Sequence, residues 1–273
     1  MKIISLAQEL KKYLKAQKGS VGYVPTMGAL HEGHISLIKK ARSQNEIVVV
    51  SIFVNPTQFL AGEDLEKYPR RDEADKKICE VAGVNVLFMP CAEDLYKDDE
   101  AKIVAPNVRG YILEGATRPG HFSGVLRVVM KLLNIVQPTN AYFGKKDAQQ
   151  LHLITSMVEE YFMDVNIVAV ETVREADGLA FSSRNVYLSK EERVEALKIS
   201  KALYKSSKLI SQKVVDCNVL REAMLEVLEP LEVGYVAIVS RDFKPLQKVE
   251  IGNSIVLIEA LVGKTRLLDN IWL

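Results

Sequence analysis

The sequence predicts an α/β protein: a doubly wound parallel sheet with a second, smaller α+β domain at its C-terminal side. Two observations carry that expectation. Short apolar runs alternate with segments of helical spacing from about residue 20 onward, the pattern made when helices cross over between parallel strands. After about residue 172 the alternation stops, and a polar stretch leads to two helices and then two strands.

Ser20–Pro25 (SVGYVP) reads as a short buried strand and Glu46–Pro56 (EIVVVSIFVNP) as a stronger one. Between them, HISLIKKAR sets Ile35, Leu37, Ile38 and Ala41 at helical spacing. Strand, helix and strand in so short a span make a βαβ unit, hence a parallel pair. The pattern continues with helix EADKKICEVAG, strand VNVLFMP, helix GVLRVVMKLLNIV and strand AYFG, then helix DAQQLHLITSMVEEYF and strand VNIVAV. Such a series is that of a Rossmann-like sheet. READGLAFSSRN then breaks the texture, and helices SKEERVEALKISKALYKSSKLI and NVLREAMLEVLEPL follow. The runs GYVAIVS and SIVLIEALV suggest a small antiparallel sheet. The expected domains are 1–172, and 173–273 closing over the site.

Composition excludes several functions. Apolar residues make up 48% and charged residues 26% of the 273, ordinary globular usage. The 36 basic and 35 acidic side chains leave +1, which gives no footprint for nucleic acid. Cys79, Cys91 and Cys217 are odd in number and not closely paired, a pattern expected of a reducing compartment. Gln8 and Glu9 interrupt the first apolar run, so no signal-peptide core forms there, and no stretch is apolar for the roughly 18 residues of a membrane helix. A cytoplasmic protein is expected.

The segment PTMGALHEGH, Pro25–His34, places two of four histidines three residues apart at a helix mouth. Three readings compete. HEGH is one residue short of the HExxH zinc motif, and no further Cys or His cluster is visible. An ordinary strand-to-helix turn would have the same glycines. A phosphate site would use the unpaired N–H groups and the dipole of the helix start, with Gly28 and Gly33 allowing close approach to the backbone. Imidazole N–H groups would then meet charge developing on a phosphate. Two decoys are set aside. GKT at Gly263–Thr265 resembles the end of a Walker loop, but Ile258 stands where its first glycine belongs. No GxGxxG follows any strand.

Other segments favour the phosphate reading. FVNPTQF (Phe53–Phe59) brings Asn55 and Gln58 to the end of the second strand, and YFGKKDAQQ (Tyr142–Gln150) brings lysines, an aspartate and two glutamines to another. FSSRN (Phe181–Asn185) offers hydroxyls and an arginine. Open α/β sheets bind ligands at such strand ends.

HxGH resembles the motif of the nucleotidyltransferase superfamily, which includes class I aminoacyl-tRNA synthetases. PTMGALHEGH, FVNPTQF, RPGHFSGV, FGKKDAQQL and DGLAFSSRNVYL, in that order between about residues 20 and 190, resemble the motif series of the pantothenate synthetase (pantoate–β-alanine ligase) family. Lys145 stands where that family commonly has Glu, and Phe181 where it has Leu or Met. The resemblance implies ATP-dependent condensation of (R)-pantoate with β-alanine through a pantoyl adenylate, releasing AMP and pyrophosphate with Mg²⁺, in a homodimer. It implies ATP contacts from Met27, Gly28, Ala29, Leu30, His31, Glu32, Gly33 and His34. Gly144, Lys145, Lys146, Asp147, Val173, Phe181, Ser182, Ser183 and Arg184 would join them. His34 would be the proton donor, with His31, Lys146 and Arg184 on the phosphates. Gln58 would contact pantoate and β-alanine, and Gln150 pantoate; an amide suits hydroxyls and a carboxylate because it both donates and accepts. Asp75, with Asp72 nearby, is the candidate for Mg²⁺ through the ATP phosphates, and a solvated helix start accounts for both equally. His121 faces either the site or the packing of its loop, and His152 reads as packing. Two other functions stay open: a nucleotidyltransferase that keeps the nucleotide in its product, and a nucleotide-binding module without catalysis.

Overall fold

The computed structural model describes residues 1–273. β1 (Lys2–Ile4) and α1 (Ala7–Lys15) lead into β2 (Val21–Thr26), α2 (Glu32–Gln44), β3 (Ile47–Ile52), α3 (Asp72–Val81) and β4 (Val86–Phe88). Two single-turn helices, α4 (Ala92–Leu95) and α5 (Glu114–Thr117), precede α6 (His121–Val136), β5 (Asn140–Gly144), α7 (Ala148–Glu160) and β6 (Asn166–Val170). The chain then forms α8 (Lys190–Ser211), α9 (Cys217–Leu228), β7 (Glu232–Ser240), β8 (Ser254–Val262) and β9 (Thr265–Trp272).

The first sheet has the order β1-β4-β3-β2-β5-β6, with every pair parallel. Its continuous apolar strands follow from burial on both faces: all six residues of β3 are buried. Val24, Val48, Val50 and Leu87 from the strands pack with Leu37, Ile38 and Ala41 of α2 and Cys79 of α3. The chain builds outward from β2 through β3 to β4, then returns to the other side of β2 as β5. Strand order therefore reverses between β2 and β5, the place where such sheets bind ligands at their carboxyl ends.

β1 and α1 were not anticipated. Only Ile4 of the three β1 residues is buried, so the strand has no alternation to read. The second sheet, β7-β8-β9, is antiparallel; its third strand was also unforeseen, because Arg266, Asp269 and Asn270 interrupt the apolar run. Gly263–Lys264 is the two-residue loop of the β8–β9 hairpin, with Val262 paired to Thr265. That pairing gives the Walker-like GKT its role. α8 begins in a capping box: Ser189 Oγ accepts from Glu192 N at 3.1 Å, and Glu192 Oε2 accepts from Ser189 N at 2.8 Å. Its Ile199 and Leu203 pack with Leu220 and Met224 of α9 against Val256 and Ile258.

Two compact units result: Met1–Lys145 with Leu153–Glu171, and Lys146–His152 with Thr172–Leu273. The division passes through α7. In the second unit, Asn270 Nδ2 donates to Lys146 O at 2.7 Å, and the His152 ring stacks on Phe243 at 5.1 Å. No helix is long and apolar enough to cross a membrane.

Candidate active site

The β2–α2 turn is built around a buried carboxylate. Gly28 adopts φ +84° and Ala29 φ +50°, left-handed conformations that leave their backbone polar groups off any ladder. Asp75, on α3 and 1% exposed, restrains the turn: its Oδ2 accepts from Ala29 N and its Oδ1 from Leu30 N, both at 2.8 Å. A Cβ at Gly28 would lie 3.0 Å from Ile52 Cγ2 and 3.1 Å from Asp75 Oδ2, so the space is tight, and the positive φ favours glycine. Burial pushes the Asp75 carboxyl above its ordinary range, while the Leu30 and Ala29 N–H groups pull the other way. The reading of Asp75 as a solvated helix start is corrected: it is a buried clamp, because orphan N–H groups need an acceptor.

His31 and His34 cap α2 reciprocally. His31 Nδ1 accepts from Gly33 N at 3.2 Å, and His34 Nδ1 accepts from His31 N at 3.3 Å. This is the logic of a capping box, with imidazoles replacing hydroxyl and carboxylate. An Nδ1 that accepts an N–H carries no proton, so both rings are held as the Nε2–H tautomer. Their centroids are 4.1 Å apart. His31 stands at the cap position and His34 in the first turn, so the pair grips the end of α2 instead of lying along one of its faces.

Beyond β3, Asn55 opens a 3-10 turn, Pro56–Gln58. Its Nδ2 donates to Gln58 Oε1 at 3.0 Å and to Gly124 O at 3.2 Å. Gln58 Nε2 lies 3.1 Å from Met27 Sδ, so the amide is set with Nε2 toward the β2–α2 turn. The Gln58 carbonyl is gripped too: His121 Nδ1 donates to it at 2.8 Å and Arg118 Nη2 at 3.2 Å. Arg118 Nη1 donates to His121 Nε2 at 2.9 Å, which fixes the tautomer, and Arg118 makes two bonds to Glu63. His121, 7% exposed, thus holds the backbone of a candidate substrate residue. Arg118 and Glu63 were missed by sequence reasoning, as no spacing connects them to Gln58.

The same turn is braced by Tyr96, whose OH donates to Asn55 Oδ1 at 2.7 Å. Arg127 and Lys131 of α6 lie over the Tyr96 ring at 4.7 and 5.2 Å, and both donate to Glu100. Burial opposes the Glu100 charge, but Lys131, the Lys97 N–H and Arg127 together hold its carboxyl down at about 2. The unfolded chain titrates near 4.5, so this contribution is present above that pH and lost as pH falls toward 2. Glu100→Gln is therefore expected to lower stability at pH 7 by about 1 kcal/mol after solvent screening. The gap should close near pH 2 in thermal unfolding; a gap independent of pH would reject the assignment.

Gly144 ends β5 and Lys145 opens the 3-10 turn after it, pairing with Glu171 just past β6. The cation at the position of the family's Glu thus has its own carboxylate. In the second unit, Lys146 Nζ is 3.6 Å from Asp147 Oδ1, and Gln150 is half-buried on the first turn of α7. Val173 and Phe181 face each other across a hairpin through Phe181 N to Val173 O, 3.1 Å, and Arg174 pairs with Ala180. Ser182 Oγ then accepts from Arg184 N at 3.2 Å, opening the 3-10 turn Ser183–Tyr187. Asn185 Nδ2 donates to Glu175 Oε1 at 2.8 Å, and Arg193 of α8 donates to both Glu175 oxygens. The first unit thus gathers Met27–His34, Gln58, Gly144 and Lys145. The second gathers Lys146, Asp147, Gln150, Val173 and Phe181–Arg184.

The model of the pantoate-beta-alanine ligase family matches residues 2–272. A pantothenate synthetase of Sulfurimonas denitrificans is 61% identical over 273 residues, covering 100% of both chains. A crystal structure of pantothenate synthetase from Thermus thermophilus is similar with a TM-score of 0.95 at 40% identity, over 99% of each chain. The pantoate-beta-alanine ligase of Francisella tularensis, complexed with β-γ ATP and β-alanine, is similar with a TM-score of 0.84 at 37% identity, over 100% of this chain and 97% of that one. A parallel sheet that reverses at β2 and β5, a reciprocal histidine cap at its switch point and a match along the whole chain lead to one conclusion: this protein belongs to the pantoate–β-alanine ligase family.

Proposed function

We propose that the chain condenses (R)-pantoate with β-alanine at the expense of ATP, through a pantoyl adenylate, releasing AMP and pyrophosphate. The reciprocal cap of His31 and His34 is the observation that carries this reading. It sets two neutral Nε2–H donors at the start of α2, on the carboxyl side of β2, where the helix dipole favours anions. Pantoate's carboxylate is a poor acylating agent. Adenylation makes its oxygen part of a good leaving group, and in-line attack at the α-phosphate needs placement and charge stabilisation more than covalent help. Met27–His34, Gly144–Asp147, Val173 and Phe181–Arg184 are the ATP contacts in this reading. Lys146 and Arg184 supply positive charge to the phosphates, and His34 offers them its Nε2–H as a hydrogen-bond donor.

Mg²⁺ enters with the nucleotide. Asp75 spends both oxygens on backbone N–H groups, and no cluster of three or more His, Cys, Asp or Glu has metal-holding geometry. The side chains do not fit a protein-held ion. A triphosphate with water supplies the oxygens that Mg²⁺ prefers.

Gln58 is set to donate. With Oε1 on Asn55, its Nε2 is the atom offered to the carboxylate or hydroxyls of pantoate, and Gln150 serves pantoate from α7. Gln58→Ala or Gln150→Ala leaves substrate groups incompletely paired, at about 1–3 kcal/mol, or roughly five- to 150-fold weaker pantoate use. ATP affinity is expected to change little. Calorimetry in which Gln150→Ala mainly weakens ATP binding would overturn the assignment.

The function is tested by isotope exchange. With ATP, Mg²⁺ and pantoate but no β-alanine, labelled pyrophosphate should enter ATP. Exchange that requires β-alanine would reject a separate adenylation step. A product that retains the nucleotide would identify a nucleotidyltransferase instead.

A further inference from the structure

The C-terminal strand carries two buried polar side chains that no step above uses. Asp269 and Asn270 of β9 are 3% and 2% exposed. Asp269 receives a fork from Arg174: Nη1 donates to Oδ2 at 2.5 Å and Nη2 to Oδ1 at 3.0 Å. Arg174 Nη2 also donates to Asn270 O at 3.3 Å, and its Nη1 to Gly178 O at 3.1 Å. Asn270 N donates to Asp269 Oδ1 at 2.7 Å, while Asn270 Nδ2 donates to Lys146 O at 2.7 Å. Two adjacent residues therefore grip two segments that lie 124 and 95 residues away along the chain. One segment begins with Lys146. The other is the hairpin that leads from Val173 into Ser182–Arg184.

Stability alone does not account for this arrangement. Asp269 is buried while the Arg174 side chain is 31% exposed; such a pair adds little net stability, although removing the cation would leave a buried carboxylate uncompensated. What a forked arginine and an amide donor add is direction: each fixes its partner to within a hydrogen-bond length and angle. Phosphoryl transfer is sensitive to such placement, since a misplacement of about 1 Å can cost on the order of 10²-fold in rate.

We propose that Asp269 and Asn270 are positioning residues for the nucleotide-contacting set of the second unit. Asn270 holds Lys146 by its carbonyl. Asp269, through Arg174, holds the hairpin that presents Ser182, Ser183 and Arg184. The last strand of the chain is thereby the common reference for both segments. This inference rests on the ATP reading of Lys146 and Arg184 given above.

Pantoate-dependent ATP–pyrophosphate exchange by the full-length protein tests it, with thermal unfolding followed in parallel. Asn270→Ala removes the donor to Lys146 O and is expected to raise the KM for ATP about tenfold. Arg174→Lys keeps a positive charge beside Asp269 but loses the fork, and the same direction is expected. Arg174→Lys decides the matter if Asn270→Ala fails to fold. A purely structural role would lower the melting temperature and the active fraction but leave the KM for ATP and the kcat per folded active site unchanged; that result overturns the proposal. If Lys146→Ala and Arg184→Ala weaken exchange while Asn270→Ala and Arg174→Lys leave the KM for ATP at wild type, positioning is wrong and the ATP reading stands. If Lys146→Ala and Arg184→Ala also exchange normally, the ATP reading fails, and the proposal with it.

Discussion

Replacing His34 by alanine is expected to lower adenylation turnover by about 10²–10³, the scale of removing one preorganised donor from a transition state. Turnover and catalytic efficiency should fall together, with ground-state ATP binding falling less, because the contact strengthens as charge moves toward pyrophosphate. The substitution has a second consequence. His34 Nδ1 accepts from His31 N, so alanine also removes half of the helix cap, a loss of about 1 kcal/mol. His34→Asn separates the two effects: its side-chain oxygen can restore the cap acceptor, but it has no ring Nε2–H. Its melting temperature should approach wild type while its turnover stays low. Single-turnover adenylation at the wild-type rate by folded His34→Ala would reject the catalytic reading. The zinc alternative requires metal to be bound in the purified wild type and released on mutation, which metal analysis reads directly.

Gly124→Ala should damage the pantoate side of the site. An added Cβ would lie 2.1 Å from Thr57 O, 2.5 Å from Thr57 C and 2.8 Å from Gln58 Cα. All three are backbone atoms, so no side-chain rotation relieves the clash. Either α6 or the Pro56–Gln58 turn must move, at about 1–3 kcal/mol or more. Moving apart also weakens the bond from Asn55 Nδ2 to Gly124 O, which helps orient Gln58. The expected result is a melting temperature lowered by several degrees and a KM for pantoate raised by about tenfold, on the scale of a lost hydrogen bond. An unchanged melting temperature and pantoate KM would show that this approach carries no constraint.

Periodicity reached the elements whose environment is uniform along their length. β3 is buried throughout, and α6 buries ten of its sixteen residues, so their apolar patterns are unbroken. β1 exposes two of its three residues, and β9 places Asp269 and Asn270 in its buried half. Both violate the pattern for reasons local sequence does not contain. Motif residues were legible in the same graded way. His31, Gly33 and His34 are neighbours whose spacing already implies a helix start. The partners that orient candidate residues are distant: Asp75 lies 46 residues from Ala29, and Arg118 lies 60 residues from Gln58.

The sequence by itself determined which residue types occur at which strand ends, and through them the family. A strand end needs only its own apolar run and the turn that follows, and both are local. Tertiary structure alone decided how those residues are held. It made Asp75 the buried acceptor of two N–H groups, fixed His121 on the Gln58 carbonyl, and joined Lys146 and Arg174 to one strand at the chain's end. Buried polar groups must find partners wherever the fold brings them, and that pairing is written in three dimensions.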